Sequence, residues 1–579
     1  MKTPHTILIE KFQKATCDAF PSLTDFHVEV VQSTQPKFGH YQYNSAMKLA
    51  KTMQQNPRVV AEQIIKHIDI TDATISKLEI AGPGFINITL GPQYIQKLTQ
   101  EILDSPNLGI DFPKKQRIIV DLSSPNTAKE MHVGHLRSTI IGDCLARLFE
   151  FLGHDVLRLN HIGDWGTSFG MLIAYIKEHV PQVLSKGQTT SLTDLVGWYR
   201  KSKKLFDEDP NFKKRAQAEV VALQAGDKAA LDAWKIICDI SLKGFQEIYD
   251  ILDIKITNRG ESFYNPMLAD LVADLEAKKQ IQISDGAKCI FLEGFQNREG
   301  ELLPLMVQKS DGGYNYDTTD LAALKHRIEV EKADRILYVV DAGQSTHFQM
   351  VFKAAEKAGY LDPKKVLVEH VPFGLVLGTD GKKFRTRSGE TERLIDLLTT
   401  AIEKADQILL EKNPDFLESE RKQLAHTLGI GAIKYADLSC NRTGDYVFSY
   451  DRMLRFEGNT AAFLMYAYVR VFGIKRRINA DIEKLLKTDK ISLEHPAEFA
   501  LGLQLIQFGE ALEQLSHDLL PNRLGEYLFI LAEKFNAFFR DCRVEGTPQQ
   551  NSRLLLCEAT ARTLKQGLEI LGVKTVDRM

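Results

Sequence analysis

Cysteine is scarce in this sequence of 579 residues: there are 7, an odd number, and none forms a Cys-x-x-Cys pair. That argues against a disulfide-stapled secreted scaffold and against structural zinc, and fits free thiols in a reducing cytoplasm. Long hydrophobic runs are missing, so no segment reads as a bilayer span and no membrane partner is expected. The opening Met1-Lys-Thr-Pro-His-Thr-Ile-Leu-Ile-Glu10 turns acidic too early for a signal peptide. Neither sign of charge dominates, with 73 basic and 76 acidic residues and a net charge of -3. A nucleic-acid partner would have to meet local basic patches. There is no Walker A loop and no Gly-x-Gly-x-x-Gly, the phosphate cradles of many kinases and dehydrogenases. Internal repeats and low-complexity tracts are absent as well.

What is present is an ordinary globular composition, 44% hydrophobic and 26% charged, on a chain long enough for three or more domains. The most informative stretch starts at Arg117-Ile-Ile-Val-Asp-Leu122, a short β-branched run that predicts a buried strand. Ser123-Ser-Pro-Asn-Thr-Ala-Lys-Glu-Met-His-Val-Gly-His135 follows. Residues 136–152 then carry apolar side chains at helical spacing, with Gly153 as a stop. Asp155-Val-Leu-Arg-Leu-Asn160 predicts a second strand. Strand, loop, helix, strand is a βαβ unit, whose ligands sit where strand ends give way to helix starts.

The loop's chemistry suits that place. His132 and His135 bracket Val133-Gly134 at the helix start, where free N–H groups and the helix dipole favour a phosphate. Two imidazoles add donors that can follow charge as it builds on a phosphoryl oxygen. Gly134 leaves the backbone bare for a flat base, Pro125 stiffens the loop, and Asn126 offers both donor and acceptor. Two histidines at a helix start can also be a plain polar cap. The preceding strand and the Lys129-Glu-Met131 lead-in set this pair apart. The stretch resembles the HIGH motif of class I aminoacyl-tRNA synthetases, in the form found in arginyl-tRNA synthetases.

The resemblance extends over most of the chain and implies its organisation: an α/β protein with a Rossmann-type parallel-sheet catalytic domain, an N-terminal α+β domain and a C-terminal all-α domain. Residues 1-112 are expected to be the α+β domain that touches tRNA. Residues 113-390 are expected to be the catalytic domain, with a helical insertion at about 180-255. Residues 391-450 would be a helical connector and 451-579 the helical anticodon-binding domain, ending in the family's Asp577-Arg-Met579. Phe38, Tyr41 and Gln42 beside Lys37, and Tyr466 in the tail, are candidate tRNA contacts, since exposed aromatics stack on bases. Burial in a core is the alternative for these aromatics.

Within the catalytic region, His161-Ile-Gly-Asp-Trp-Gly-Thr-Ser-Phe-Gly170 follows the second strand and matches the arginyl family closely. The sheet is expected to resume near Ala287-Lys-Cys-Ile-Phe-Leu292. Lys309–Asp320 reads as a turn running into a helix, which puts Tyr316 and Asp320 on one face. Arg335–Asp341 reads as a strand emptying into Ala342-Gly-Gln-Ser-Thr-His-Phe348, so Gln344 and His347 sit at a third strand end. After strand Lys365–Val371, the glycine-rich, basic loop Gly374–Gly389 is expected to close on a triphosphate. It stands where class I synthetases carry KMSKS, but the second lysine position falls on Thr386. The resemblance implies that Lys129 substitutes, and leaves open which of Lys382, Lys383, Arg385 and Arg387 reaches phosphate.

The implied reaction is arginine activation by ATP followed by transfer to tRNA, on a monomer, with Mg²⁺ arriving on ATP and no tightly bound metal. A guanidinium substrate demands carboxylates and an aromatic face. The family's arginine-contacting positions fall on Asp121, Ser124, Pro125, Asn126, His135, Tyr316, Asp320 and Gln344. Its ATP positions fall on Lys129, His132, Gly134, His135, His347, Lys383, Arg385 and Arg387, of which His132, His135 and Lys129 would be catalytic. Small-molecule adenylyltransferases share the nucleotide fold but are shorter and lack the helical tail. A noncatalytic RNA-binding paralogue would be expected to lose the histidines or Asp320. A synthetase for another amino acid would lack the carboxylates and Asp164-Trp165-Gly166.

Overall fold

The computed structural model describes residues 2–23, 26–166, 168–184, 190–297, 299–384 and 392–579. The chain divides into two compact units, one of Lys114–Leu454 with Ile570–Val573, the other of Met1–Pro113, Arg455–Glu569 and Lys574–Met579. The regions read from sequence as first and last domains thus share one unit, and 391–450 lies with the region of the sheet.

The first of these units holds a parallel sheet of five strands. They are β1 (Arg117–Asp121), β2 (Asp155–Asn160), β3 (Thr257–Asn258), β4 (Arg335–Tyr338) and β5 (Leu367–His370), in the order β5-β4-β1-β2-β3. The chain steps outward from β1 to β2 and β3, then returns to lay β4 on the other side of β1. Direction therefore reverses between β1 and β4, which opens a crevice at their C-terminal ends. In register, Asp121 lies beside Tyr338 of β4 and Leu159 of β2. Helix α1 (Val133–Phe151) covers β1 and is itself buried over most of its surface. Gly142 permits that approach, since a Cβ there would lie 2.3 Å from the Leu122 side chain.

Helices α2 (Ser168–His179), α3 (Leu192–Glu208), α4 (Pro210–Gln224) and α5 (Lys228–Ile251) form the insertion, with an apolar core that includes Leu172, Ile173, Leu195 and Ile237. The strand expected near Ala287–Leu292 does not join the parallel sheet. It runs Ala287–Gln296 as the middle of a separate antiparallel sheet, between Gln282–Ser284 and Leu302–Gln308. Asp285 and Gly286 both have positive φ, 48° and 78°, so the chain doubles back in a tight hairpin. A parallel pairing would have needed a long crossover there. Beyond lie α6 (Tyr316–Glu329), α7 (Ser345–Lys357), α8 (Leu394–Lys412) and α9 (Glu418–Leu438). Arg137, only 1% exposed, fastens α1 to this frame. Its Nε donates to both oxygens of Asp437 on α9, at 3.2 and 3.0 Å, and a terminal nitrogen reaches the Gly374 and Gly444 carbonyls at 2.7 and 3.1 Å.

The other unit contains an antiparallel sheet in the order Val30–Gln32, Tyr41–Tyr43, Phe85–Leu90, Ile75–Ala81. Helices Pro4–Ala19, Ala46–Met53, Pro57–His67 and Pro92–Asp104 accompany it, and Ala461–Ile478, Phe508–Asp518 and Asn522–Asp541 belong to the same unit. Tyr41 is fully buried, which corrects its expected role as a stacking surface. Strand alternation turns Tyr41 and Tyr43 inward with Gln42 on the opposite face. The Tyr41 hydroxyl donates to Glu510 at 2.6 Å, and the same carboxylate accepts from the His5 N–H and from Gln32 Nε2, at 2.9 and 2.6 Å. Gln42 donates to Asn87 Oδ1 at 2.7 Å. Phe38 is half-buried with Lys37 Nζ 4.8 Å above its ring, and Tyr466 is 46% exposed with the Arg470 guanidinium 4.9 Å away. No helix among the described residues is long and apolar enough to cross a membrane.

Tyr41→Phe takes one donor from the buried Glu510 carboxylate. It is expected to lower stability by about 1–3 kcal/mol in thermal or urea denaturation. Nucleic-acid affinity of the folded variant should not change, and a loss in filter binding would restore a contact role to Tyr41.

Candidate active site

The imidazole pair sits at the mouth of the crevice, at the start of α1. His132 is the N-cap: its Nδ1 accepts from the Gly134 N–H at 3.0 Å, while its own N–H donates to His135 Nδ1 at 3.1 Å. Each Nδ1 is an acceptor, so the proton of each neutral ring sits on Nε2. The ring centroids are 4.1 Å apart. Burial, then the charges of Lys383 and Lys129, lower the His132 pKa. Burial and then His132 take His135 down to about 3. The helix start therefore presents two neutral N–H donors. Gly134 makes the cap possible, because a Cβ there would lie 2.8 Å from His132 Cε1.

The chain reaches this cap through a strained turn. Ser123, Ser124 and Ala128 all have positive φ, 71°, 50° and 58°, at a cost of about 1–3 kcal/mol each. Hydrogen bonds hold them there: Ser123 N–H to Ser138 Oγ at 2.8 Å, Ser124 N–H to Asn160 Oδ1 at 2.9 Å, and Ala128 N–H to Ser241 Oγ at 3.0 Å. Between them Pro125 is buried and Asn126 exposed. Gly163 leaves room for Asn126, since a Cβ on it would lie 2.1 Å from Asn126 Oδ1. Lys129, Lys382 and Lys383 are exposed. Arg385, Thr386 and Arg387 lie outside the described residues. The described chain on the far side returns to the imidazole loop, where the Leu394 N–H donates to the Met131 carbonyl at 2.8 Å.

Carboxylates gather on the other wall. Asp121, expected to contact substrate directly, already has partners in the chain: Arg327, fully buried, at 2.7 Å, and the Ser124 hydroxyl at 2.9 Å. Arg327 also lies over the Tyr338 ring at 4.9 Å. Asp320 Oδ2 is 2.7 Å from His347 Nε2, and its Oδ1 is 3.6 Å from His161 Nε2. His347 Nδ1 is 3.1 Å from Asp317. His347, expected at ATP, thus has both ring nitrogens on carboxylates. Burial alone would lower its pKa, but the hydrogen bonds and charges of Asp317 and Asp320 raise it to about 9. Tyr316 is 59% exposed, its ring edge-on to His347 at 5.1 Å. Gln344 is exposed in the turn Ala342–Gln344 after β4.

Sequence reading missed Glu261. It opens the turn Glu261–Tyr264 behind a strand of two residues, too short to show any period, and its N–H donates to the Ile162 carbonyl at 3.0 Å. Burial, then the charges of Asp320 and Asp164, push its carboxyl up to about 8. Asp164 is held by the Ser262 N–H and hydroxyl at 2.8 and 2.7 Å. The arrangement can bind a cation at the carboxylates and a polyphosphate by the imidazoles.

Comparison with known proteins agrees along the whole chain. Residues 97–450 match the family model for the class I (R) tRNA synthetase catalytic domain, residues 6–90 the arginyl-tRNA synthetase N-terminal domain, and residues 464–579 the DALR anticodon-binding domain. An arginine–tRNA ligase of Protochlamydia amoebophila is 67% identical, with 100% of each chain covered. One from Chlamydia felis is 52% identical over 98% of each. Among solved structures, the Plasmodium falciparum arginyl-tRNA synthetase superposes with a TM-score of 0.88 at 35% identity, covering 100% of both chains. The Thermus thermophilus arginyl-tRNA synthetase shares the fold, with a TM-score of 0.80 at 23% identity over 99% of this chain and 100% of that one.

The acidic wall should show itself in the pH dependence of stability. His347 is raised from 6.5 to about 9, so the stability it lends is complete below 6.5 and is lost as pH rises through 9. Glu261, raised from 4.5 to about 8, acts in the same direction over a lower window. His135, lowered from 6.5 to about 3, acts oppositely, and its contribution is lost as pH falls below 6.5. Through His347 alone, urea unfolding of the protein is expected to weaken by up to about 3 kcal/mol between pH 6.5 and 9, with Glu261 adding to the fall below pH 8. His347→Gln should flatten that fall, and an equally steep curve in the variant would exclude the bridged imidazolium.

Proposed function

The chain belongs to the arginyl-tRNA synthetase family, class I aminoacyl-tRNA ligases, and we propose that its crevice joins L-arginine to tRNA at the cost of ATP. In the first step an arginine carboxylate oxygen attacks the α-phosphorus of ATP. The bond to the β-phosphate oxygen breaks, leaving arginyl-adenylate and pyrophosphate. In the second, the 2′-hydroxyl of the terminal tRNA ribose attacks the arginyl carbonyl and AMP departs. The carboxylate is already a nucleophile, so the work is positioning and charge stabilisation.

The neutral Nε2–H groups of His132 and His135 donate to phosphoryl oxygens as charge builds there, beside the bare backbone of Gly134. Lys129, Lys383, Arg385 and Arg387 supply positive charge to the polyphosphate, and Mg²⁺ arrives with ATP. Asp320, Glu261 and Tyr316 receive the guanidinium. Ser124, Pro125, Asn126 and Gln344 line the approach to its amino-acid end. Asp121 acts through Ser124, whose hydroxyl it holds. Phe38, Gln42 and Tyr466 are tRNA contacts, and the enzyme works as a cytoplasmic monomer.

One observation carries the choice of substrate: Asp317, Asp320 and Glu261 gather acidic groups in one place, with Asp320 near enough to raise the Glu261 carboxyl. A cationic side chain finds counter-charges there that a neutral or acidic one would not use.

Pyrophosphate exchange with each amino acid, in the presence of total tRNA, should respond to arginine alone. Asp320→Ala is expected to raise the arginine KM by about 10²–10³-fold, the equivalent of about 3–5 kcal/mol, with the ATP KM within a few-fold of wild type. His135→Ala should slow activation by about 10²–10³-fold. Exchange driven by another amino acid, or a normal arginine KM in Asp320→Ala, would overturn the reading.

A further inference from the structure

We propose that His347 is the resident cation of the arginine pocket: it bridges Asp317 and Asp320 while the pocket is empty, and the incoming guanidinium takes Asp320 from it, so that arginine binding drives a proton off the imidazole. This rests on the reading of the crevice as an arginine site and adds a specificity residue to it.

The geometry sets up a competition for one carboxylate. A guanidinium binds a carboxylate best through two parallel N–H donors, one to each oxygen. Asp320 Oδ2 is already engaged by His347 Nε2 at 2.7 Å, and Oδ1 faces His161 Nε2 at 3.6 Å. A forked ligand can seat fully only if His347 lets go. If His347 kept its charge, two cations would crowd the same carboxylate in a largely buried site, where like charges disfavour each other's charged forms. The guanidinium cannot relieve this, because it does not deprotonate in proteins. The imidazole can, because its charge is held only by Asp317 and Asp320, at about 9.

The surroundings point the same way. From α6, Asp317, Asp320 and the Tyr316 ring face His347. From beyond β2, His161 is kept uncharged by burial, so it does not replace His347 as a counter-charge. From the turn after β3, Glu261 feels Asp320 and carries a raised pKa of about 8. Behind the ring, Phe348 stacks on His370 of β5, whose pKa burial lowers. The Arg327 charge is matched by Asp121 at 2.7 Å. On loss of the Nε2 proton to water, the neutral ring keeps Nδ1–H as a donor to Asp317, and Asp320 is released with both oxygens free. The proton balance closes with one proton to solvent for each charged His347 that arginine displaces. The same exchange favours guanidinium over any uncharged isostere, which has no charge to replace the one given up.

The test uses full-length protein with ¹⁵N-labelled histidine rings, at pH 8.5, above the Glu261 value of about 8 and below the His347 value of about 9. Of the 15 histidines, one ring that is largely charged without ligand should turn neutral on saturation with arginine, and that signal should be missing in His347→Gln. In parallel, calorimetric titration in buffers of different ionisation heat should find wild type releasing more protons per arginine than His347→Gln, by about the charged fraction of His347. If the variant does not fold, the wild-type spectrum still decides. Arginine that binds without changing any charged ring, or equal proton release by both proteins, would overturn the proposal. Arginine that does not bind at all would instead overturn the arginine-site reading beneath it.

Discussion

The reversal of strand order between β1 and β4 is the constraint on which the rest depends. Adjacent parallel strands whose chain continuations leave in opposite directions cannot cover the gap at their C-terminal ends, so a crevice opens there. The loop after β1 brings the imidazole cap, the turn after β4 brings Gln344 and His347, and the loop after β2 brings His161 and Asp164. Arg137 then fixes the imidazole helix to α9 and to the strand ends that carry the basic loop, through donors that leave Asp437 paired at full burial.

Charge is sorted across this crevice. On the imidazole side the histidines are uncharged donors, because burial opposes a cation and two nearby lysines oppose it further. Cations on that side come from the exposed side chains of Lys129 and Lys383. In the carboxylate cluster the imbalance is acidic, and the protein offsets it internally with Arg327 on Asp121 and His347 on Asp317 and Asp320. A preformed acidic site for a cation must solve this problem in its empty state, since close carboxylates left together raise each other's pKa. Glu261 shows the residue of that strain.

Where a signal was local, the sequence was legible. The βαβ unit follows from β-branched runs and helical spacing, and the Ser123–His135 loop from its place between them. Expectations failed where a tight turn, a distant partner or a stretch too short for a period decided. Ala287–Leu292 has the composition of a buried strand, but the Asp285-Gly286 turn sends it into an antiparallel sheet. Tyr41 stands in a turn-rich, exposed-looking stretch, yet packs inward because Glu510, almost the whole chain away, accepts its hydroxyl. Glu261 follows two strand residues that carry no pattern at all.

The sequence by itself determined the nucleotide-type core, the paired histidines at a helix start, the helical tail and the family, because each is written in contiguous residues with a fixed period or motif. Only the tertiary structure decided how the charged residues divide their partners. It gave Asp121 to Arg327 and His347 to two aspartates, and it made the imidazole pair neutral. Partner choice and protonation depend on distance and burial, and neither is set until separate segments of the chain come together.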